Sequence, residues 1–248
     1  MTAGDPSVNA EKLLNRLGLV GSRTGAVEIG GMHQGTCVLV APDVILTNHH
    51  VIRPLLALDE PDTTVRFDRF VDENDVVQIG WTTPLADDWH MHSRPHGLAD
   101  ESDDPDDTPD SDQLDFALVR LSERVADRPR SGAPENTPRG WCSLTEAVPG
   151  IPVGNHITLI QHPAGKLRQI SFGHILSYGG ANLRMRYSTN TKGSSSGSPV
   201  LDSKGRLIAL HHAGDPNFAI SAKFNQGIPV ALIQADITDA GLMDSLAG

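Results

Sequence analysis

Cysteine, basic charge and long apolar runs are all scarce in this chain of 248 residues, and each shortage narrows what it can be. Two cysteines, Cys37 and Cys142, cannot build a disulfide framework, and no basic stretch followed by an apolar one opens the sequence as a secretion signal would. Free thiols and a cytoplasmic location are therefore the expectation. Lys and Arg number 20 against 31 Asp and Glu, a formal charge of −11 that lacks the basic footprint of a nucleic-acid binder. No run approaches the ~20 apolar residues that span a bilayer, so neither nucleic acid nor membrane is expected as a partner. What is present is 24 Gly, 17 Pro and 38% hydrophobic residues, the composition of a turn-rich globular protein rather than a helical bundle. The length allows one large domain or two small ones with a real core.

Leu13, Leu14 and Leu17 stand at helical spacing before Gly18, which predicts a short amphipathic helix over residues 9–18. From Ala26 onward, short apolar runs alternate with turns: Ala26–Ile29, Gly35–Val40, Val44–Thr47, Thr64–Phe67, Val76–Ile79 and Leu114–Leu121. The same grammar returns in His156–Gln161, Leu167–Leu176, Leu183–Tyr187, Pro199–Leu201 and Leu207–His211. Strands at intervals of roughly 8–12 residues predict an all-β sandwich or barrel. Pro229, ahead of Val230, Leu232, Ile233 and Ile237, predicts a closing helix. Eight acidic residues fall between Asp100 and Asp112, and this stretch reads as a mobile, solvated loop whose removal should cost little stability. Arg128–Pro138, rich in Pro and polar residues, reads as an interdomain linker.

Three segments carry candidate chemistry. Lys192–Val200, KGSSSGSPV, sets Ser196 before Gly197 in a turn of small residues. There a hydroxyl can be exposed and backbone N–H groups can converge on a developing oxyanion. Gly35–Ile52, GTCVLVAPDVILTNHHVI, ends two apolar runs in the pair His49 and His50, and an imidazole there can take the serine proton. Asp115 is the one charge entering the apolar run Phe116–Leu121, a costly place for a carboxylate unless it is paired, for example with an imidazole that it orients. His90, His92 and His96 offer a weaker alternative as a zinc-binding strand, although no further well-spaced ligand is evident.

The order His, Asp, Ser is that of the chymotrypsin-type triad. The pieces GTCVLVAPDVILTNHHV, LDFALVRL, ITLIQHPAG, RYSTNTKGSSSGSPVLD, LIALHHAG and NQGI resemble trypsin-like serine proteases, specifically the bacterial glutamyl-endopeptidase-like branch. The resemblance implies two six-stranded antiparallel β-barrels with a short N-terminal and a C-terminal helix. The first barrel would occupy residues 1–135 with an acidic insertion around 86–113, and the second residues 136–248. It implies His50 as base, from the pattern Thr-Asn-x-His-Val, Asp115 as its orienting partner and Ser196 as nucleophile. The backbone N–H groups of Ser194 and Ser196 would form the oxyanion hole. The family usually has glycine where Ser194 stands, which predicts a loop resting in a flipped, incomplete state until substrate or a partner arrives. Ser195 stands where zymogens carry an aspartate, so activation by capture of a new N-terminus is not expected. Thr191 and His211 would hold an acidic side chain, glutamate above all, on the acyl side of the cut bond. The partner would be a peptide or protein substrate, alongside further domains or a regulator. No cofactor or metal is expected. The competing reading is a catalytically impaired homologue that binds peptides in the same cleft.

Overall fold

The computed structural model describes residues 8–58, 61–102, 107–133, 137–146, 150–215 and 223–247. Two closed antiparallel barrels of six strands form the molecule, with a chymotrypsin-like arrangement. The first contains β1 (Thr24–Ile29), β2 (Met32–Leu39), β3 (Val44–Thr47), β4 (Thr63–Val71), β5 (Val77–Arg94) and β6 (Phe116–Leu121), in the spatial order β1-β2-β3-β6-β5-β4. The second contains β7 (His156–Gln161), β8 (Gln169–Gly179), β9 (Arg184–Tyr187), β10 (Pro199–Asp202), β11 (Leu207–Gly214) and β12 (Asn225–Pro229), in the order β10-β11-β12-β9-β8-β7. Helix α1 (Ala10–Arg23) precedes the first barrel, the short α2 (His49–Ile52) follows β3, and α3 (Val230–Asp239) closes the fold.

The strand sequences explain why the barrels meet as they do. In β3, Ile45 points into the first barrel, while Val44 and Leu46 join a second apolar cluster. In β6, Ala117, Val119 and Leu121 fill the barrel, and Phe116 and Leu118 join that second cluster. Leu201, Leu210 and Ile228 reach the same cluster from the second barrel, whose interior takes Leu159, Val200, Ala209 and Tyr187. Side chains alternate faces along a strand, so strands apolar on both faces read as continuous runs such as VILT and FALVRL. One face fills a barrel and the other cements the two barrels together.

Some boundaries differ from expectation. Helix α1 runs past Gly18 to Arg23, because Val20 inserts into the inter-barrel cluster and Arg168 Nη1 donates to the Gly21 carbonyl at 2.6 Å. Residues 86–94 are not part of an insertion but the second half of β5, where His90, His92, Ser93 and Arg94 pair with β6. The insertion proper begins after Arg94. It is not a freely solvated loop: a turn of 3-10 helix covers Leu98–Glu101, and the Asp100 side chain is buried against Arg184 of β9. Residues 103–106 of the acidic run lie outside the described residues. The ends of the Arg128–Pro138 segment are likewise held, by a bridge between Pro129 and Pro138 and by Arg128 stacked 4.1 Å over Trp81, while residues 134–136 lie outside the described residues. Cys37 and Cys142 are both buried and no disulfide joins them, and burial pushes the Cys37 thiol up.

Candidate active site

Strand β3 delivers the chain to the cleft and stops before Asn48, the residue ahead of the first turn of α2. The Asn48 amide donates to the Asp115 carbonyl at 2.7 Å, tying the start of α2 to the start of β6. His50 then meets Asp115 twice: its backbone N–H donates to Oδ1 at 3.1 Å and its Nδ1 to Oδ2 at 2.7 Å. Asp115 is fully buried and adopts a positive φ of 40°. Burial would raise its carboxyl, but hydrogen bonds from His212 and His50 outweigh it and hold the group well below the usual carboxylate range. A carboxylate so held only accepts, which makes Nδ1 of His50 the protonated nitrogen and leaves Nε2 to accept a proton. His49, its neighbour, turns instead to Ser93 Oγ at 3.2 Å.

Ser196 lies in the loop between β9 and β10, gripped from the first barrel by Thr36. The Thr36 N–H donates to the Ser196 carbonyl at 2.7 Å and its hydroxyl to the Ser194 carbonyl at 3.1 Å. This grip needs glycine at position 197: φ is +87°, and a Cβ there would stand 1.9 Å from the Thr36 carbonyl oxygen. Ser194 has φ of +67°, so serine does take up the conformation for which glycine was expected. The Gly193 carbonyl accepts from the Ala164 N–H at 2.7 Å instead of turning to the Ser196 N–H, as a flipped loop would require. Among the described residues neither the Ser194 nor the Ser196 N–H has a hydrogen-bond partner. The Ser196 hydroxyl donates to the His212 carbonyl at 3.3 Å rather than to His50. Ser195 is directed inward, its hydroxyl accepting from the Lys192 N–H at 3.2 Å.

A cavity of about 600 Å³ opens beside Ser196, with Tyr187, Thr191, Ser194, His211 and Asn225 among its walls, and with Lys192 and Lys223. Thr191 donates to Asn225 Oδ1 at 2.6 Å, and Nδ1 of His211 lies 2.7 Å from the Tyr187 hydroxyl. Burial, with the neighbouring His212 and His50, pushes His211 down to about 3, so this imidazole is neutral at neutral pH. The histidines considered as zinc ligands diverge. His90 bonds Ser93 at 2.9 Å, His92 bonds Asp236 at 2.6 Å and His96 bonds Glu101 at 3.1 Å. Among the described residues no group of three or more such side chains could hold a metal ion.

Sequence reasoning missed three members of the cluster. Asp100 sat unremarked in an acidic run, Arg184 in a short strand, and His212 was overshadowed by His211. Their side chains are buried, and they run outward from Asp115 in the order His212, Asp100, Arg184. Only the adjacency of two histidines in LIALHHAG hinted at it, since neighbouring strand residues face opposite ways.

Twin six-stranded barrels, with an imidazole–carboxylate pair from one and a serine turn from the other, define the chymotrypsin-like protease architecture. A family model described as a trypsin-like peptidase domain matches residues 35–210, and the chain belongs to that family. It is 29% identical over 190 residues to the uncharacterized protein y4fB of Sinorhizobium fredii, covering 74% of this chain and 26% of that one. It is 35% identical over 120 residues to the secreted RxLR effector protein 73 of Plasmopara viticola, covering 44% of this chain and 27% of that one. The matches thus span about a quarter of the length of these curated relatives. Among solved structures, the inactive form of an alanine variant of Rv3671c from M. tuberculosis superposes with a TM-score of 0.56 at 12% identity, over 97% of this chain and 96% of that one. Deg5 superposes at 0.53 and 18% identity, over 92% and 94%. The serine endoprotease of Yersinia pestis gives 0.57 and 14%, over 97% of this chain and 68% of that one. At such identities these structures share the fold alone.

Proposed function

We propose that the protein is a serine endopeptidase acting through an acyl-enzyme, with Ser196 as nucleophile, His50 as general base and Asp115 as the carboxylate that fixes the imidazole. The observation that carries this reading is the doubly bonded His50–Asp115 pair, which fixes the tautomer a base requires. The unpartnered N–H groups of Ser194 and Ser196 supply donors for the oxyanion of the tetrahedral intermediate. On substrate binding, rotation about the Ser196 Cα–Cβ bond would exchange the His212 carbonyl for His50 Nε2. Such catalytic hydrogen bonds are commonly made only in the complex. The test is labelling by a fluorophosphonate, with Ser196→Ala as control. The hydroxyl's present bond to a carbonyl favours one competitor, an impaired peptide-binding homologue. Wild-type protein that resists the probe and cleaves no member of a peptide library would select it.

The proposed preference is for an acidic side chain, glutamate first, on the acyl side, as in the glutamyl-specific branch of the family. Its support is the cation and donor content of the cavity: Lys192, Lys223, Thr191 and His211. The neutral state of His211 makes this a hydrogen-bonding contact rather than an ion pair, and Thr191 must release Asn225 to join it. Matched peptides carrying Glu, Gln, Asp, Lys or Leu decide it. Equal cleavage of the Glu and Gln peptides, or a preference for Lys, rules the preference out.

A further inference from the structure

The Asp115 carboxylate is shared by two imidazoles. Besides the two bonds from His50, Oδ2 lies 3.2 Å from Nδ1 of His212. A carboxylate held ionised offers only acceptors, so Nδ1 of His212 is also an N–H donor. The other edge of that ring faces a second buried carboxylate: Nε2 stands 3.5 Å from Asp100 Oδ1 and has no hydrogen-bond partner among the described residues. Asp100 is clamped by Arg184 through two bonds of 2.7 Å, and its Oδ2 also accepts from the Gly97 N–H at 3.2 Å. The same guanidinium donates to the Gln113 carbonyl at 2.7 Å, two residues before Asp115. The His212, Asp100, Arg184 and Asp115 side chains are 1%, 5%, 2% and 1% exposed. A buried row thus runs from Asp115 through His212 and Asp100 to Arg184 on β9 of the second barrel, hydrogen-bonded except at the 3.5 Å approach of His212 to Asp100.

This arrangement meets a specific mechanical need. His50 must swing charge and proton during turnover, so it cannot alone anchor the carboxylate that orients it. His212 is the only other side chain whose hydrogen bond reaches that carboxylate among the described residues, and its main-chain carbonyl also accepts the Ser196 hydroxyl. We propose that His212 and Asp100 are positioning residues, His212 holding the Asp115 carboxylate for His50 and Asp100, through Arg184 and the Gln113 carbonyl, holding the chain that carries Asp115, so that the acidic insertion completes the machinery from behind the cleft. The proposal rests on the serine-peptidase reading above and deepens it. A purely structural network would lower the melting temperature of its variants without changing turnover by the folded protein.

The test uses the full chain and the variants His212→Ala, His212→Asn and Asp100→Asn, each checked for fold by circular dichroism. An asparagine amide N–H stands close to where Nδ1 of histidine does and restores the donor. His212→Ala should lower kcat about 10- to 100-fold with KM changed less than about threefold, since the lost interaction orients the base rather than binds substrate. His212→Asn should recover to within about fivefold of wild type, and Asp100→Asn should lose at least about fivefold in kcat. The low-field proton resonance of the His50 Nδ1–H should move in His212→Ala and return in His212→Asn. A folded His212→Ala with wild-type kcat, an asparagine variant no better than alanine, or a folded Asp100→Asn with unchanged kcat each overturns the proposal. Should the alanine variant not fold, the Asp100→Asn result decides alone. Failure of the underlying reading looks different: a wild type that neither labels nor cleaves ends the peptidase assignment. The His50 resonance still reports in that case whether His212 orders the pair.

Discussion

Ser194 shows how much a single residue can carry in this site. Its φ of +67° is one that serine adopts at a cost of roughly 1–2 kcal/mol and glycine adopts freely. The loop holds it there because Thr36 binds its carbonyl and Ala164 binds that of Gly193. Ser194→Gly should therefore leave fluorophosphonate labelling at least as fast and raise stability by up to about 1 kcal/mol, part of the relief being offset by the greater freedom of unfolded glycine. Denaturant titration measures the second and a labelling time course the first. Slower labelling would mean that the serine side chain itself contributes. For the proposed triad, Asp115→Asn should lower kcat about 10⁴-fold by releasing the imidazole to the wrong tautomer. Ser196→Ala with His50→Ala should be little worse than either alone, because the residues act as a unit. If His49→Ala abolishes turnover and His50→Ala does not, the base has been misassigned.

At the scale of elements, the segment after Arg94 behaves as a brace rather than a fringe. Asp100 carries one charge of a buried pair with Arg184, so Asp100→Ala leaves a guanidinium without its counterion and should cost about 3–5 kcal/mol. Urea unfolding of wild type and variant measures it, and a difference below about 1 kcal/mol would restore the picture of a dispensable loop. The same segment marks the limit of what the sequence discloses. Strands such as Val44–Thr47 and His156–Gln161 were legible to the residue, because each is a short, largely apolar run bounded by turns. The candidates His50, Asp115 and Ser196 stood out in the sequence because each lies just beyond an end of such a strand. The second half of β5 was not, since its exposed polar residues alternate irregularly and its register with β6 shifts at Leu85 and His90. β12 was missed as a strand, its five residues including Gly227 and Pro229. The Asp100–Arg184 pair was invisible because its members lie 84 positions apart and nothing local distinguishes Asp100 from its seven acidic neighbours.

For the molecule as a whole, the buried imidazoles set how it responds to acid. His162 and His211 are both pushed down to about 3, chiefly by burial. His162 sits beneath the serine loop, its carbonyl bonded to His33 at 3.0 Å and its N–H to the Thr36 hydroxyl at 3.2 Å. His211 sits on β11 against Tyr187. In the unfolded chain both would take a proton near pH ~6.5, whereas the folded protein refuses it until far lower pH, so the unfolded state binds more protons across that window. Stability must then fall as pH drops below about 6.5, by up to about 1.4 kcal/mol per pH unit for each ring and about 2.7 for the two. Asp115 and Asp100, held below the ordinary carboxylate range, add to this only below about pH 4, where the unfolded carboxylates become protonated and the folded ones stay charged. The predicted profile is a plateau above pH 7 and a fall of about 2–3 kcal/mol between pH 6 and pH 5, followed by steeper loss in stronger acid. Urea unfolding at pH 7.5, 6 and 5 measures it. His162→Gln, which removes one of the two rings, should lower the slope between pH 6 and 5 by about 1 kcal/mol per pH unit whatever it does to stability at pH 7.5. A stability that stays flat from pH 7.5 to 5 would mean that these rings reach a proton in the folded state, and with it that the serine loop and the cavity wall open far more readily than their packing implies.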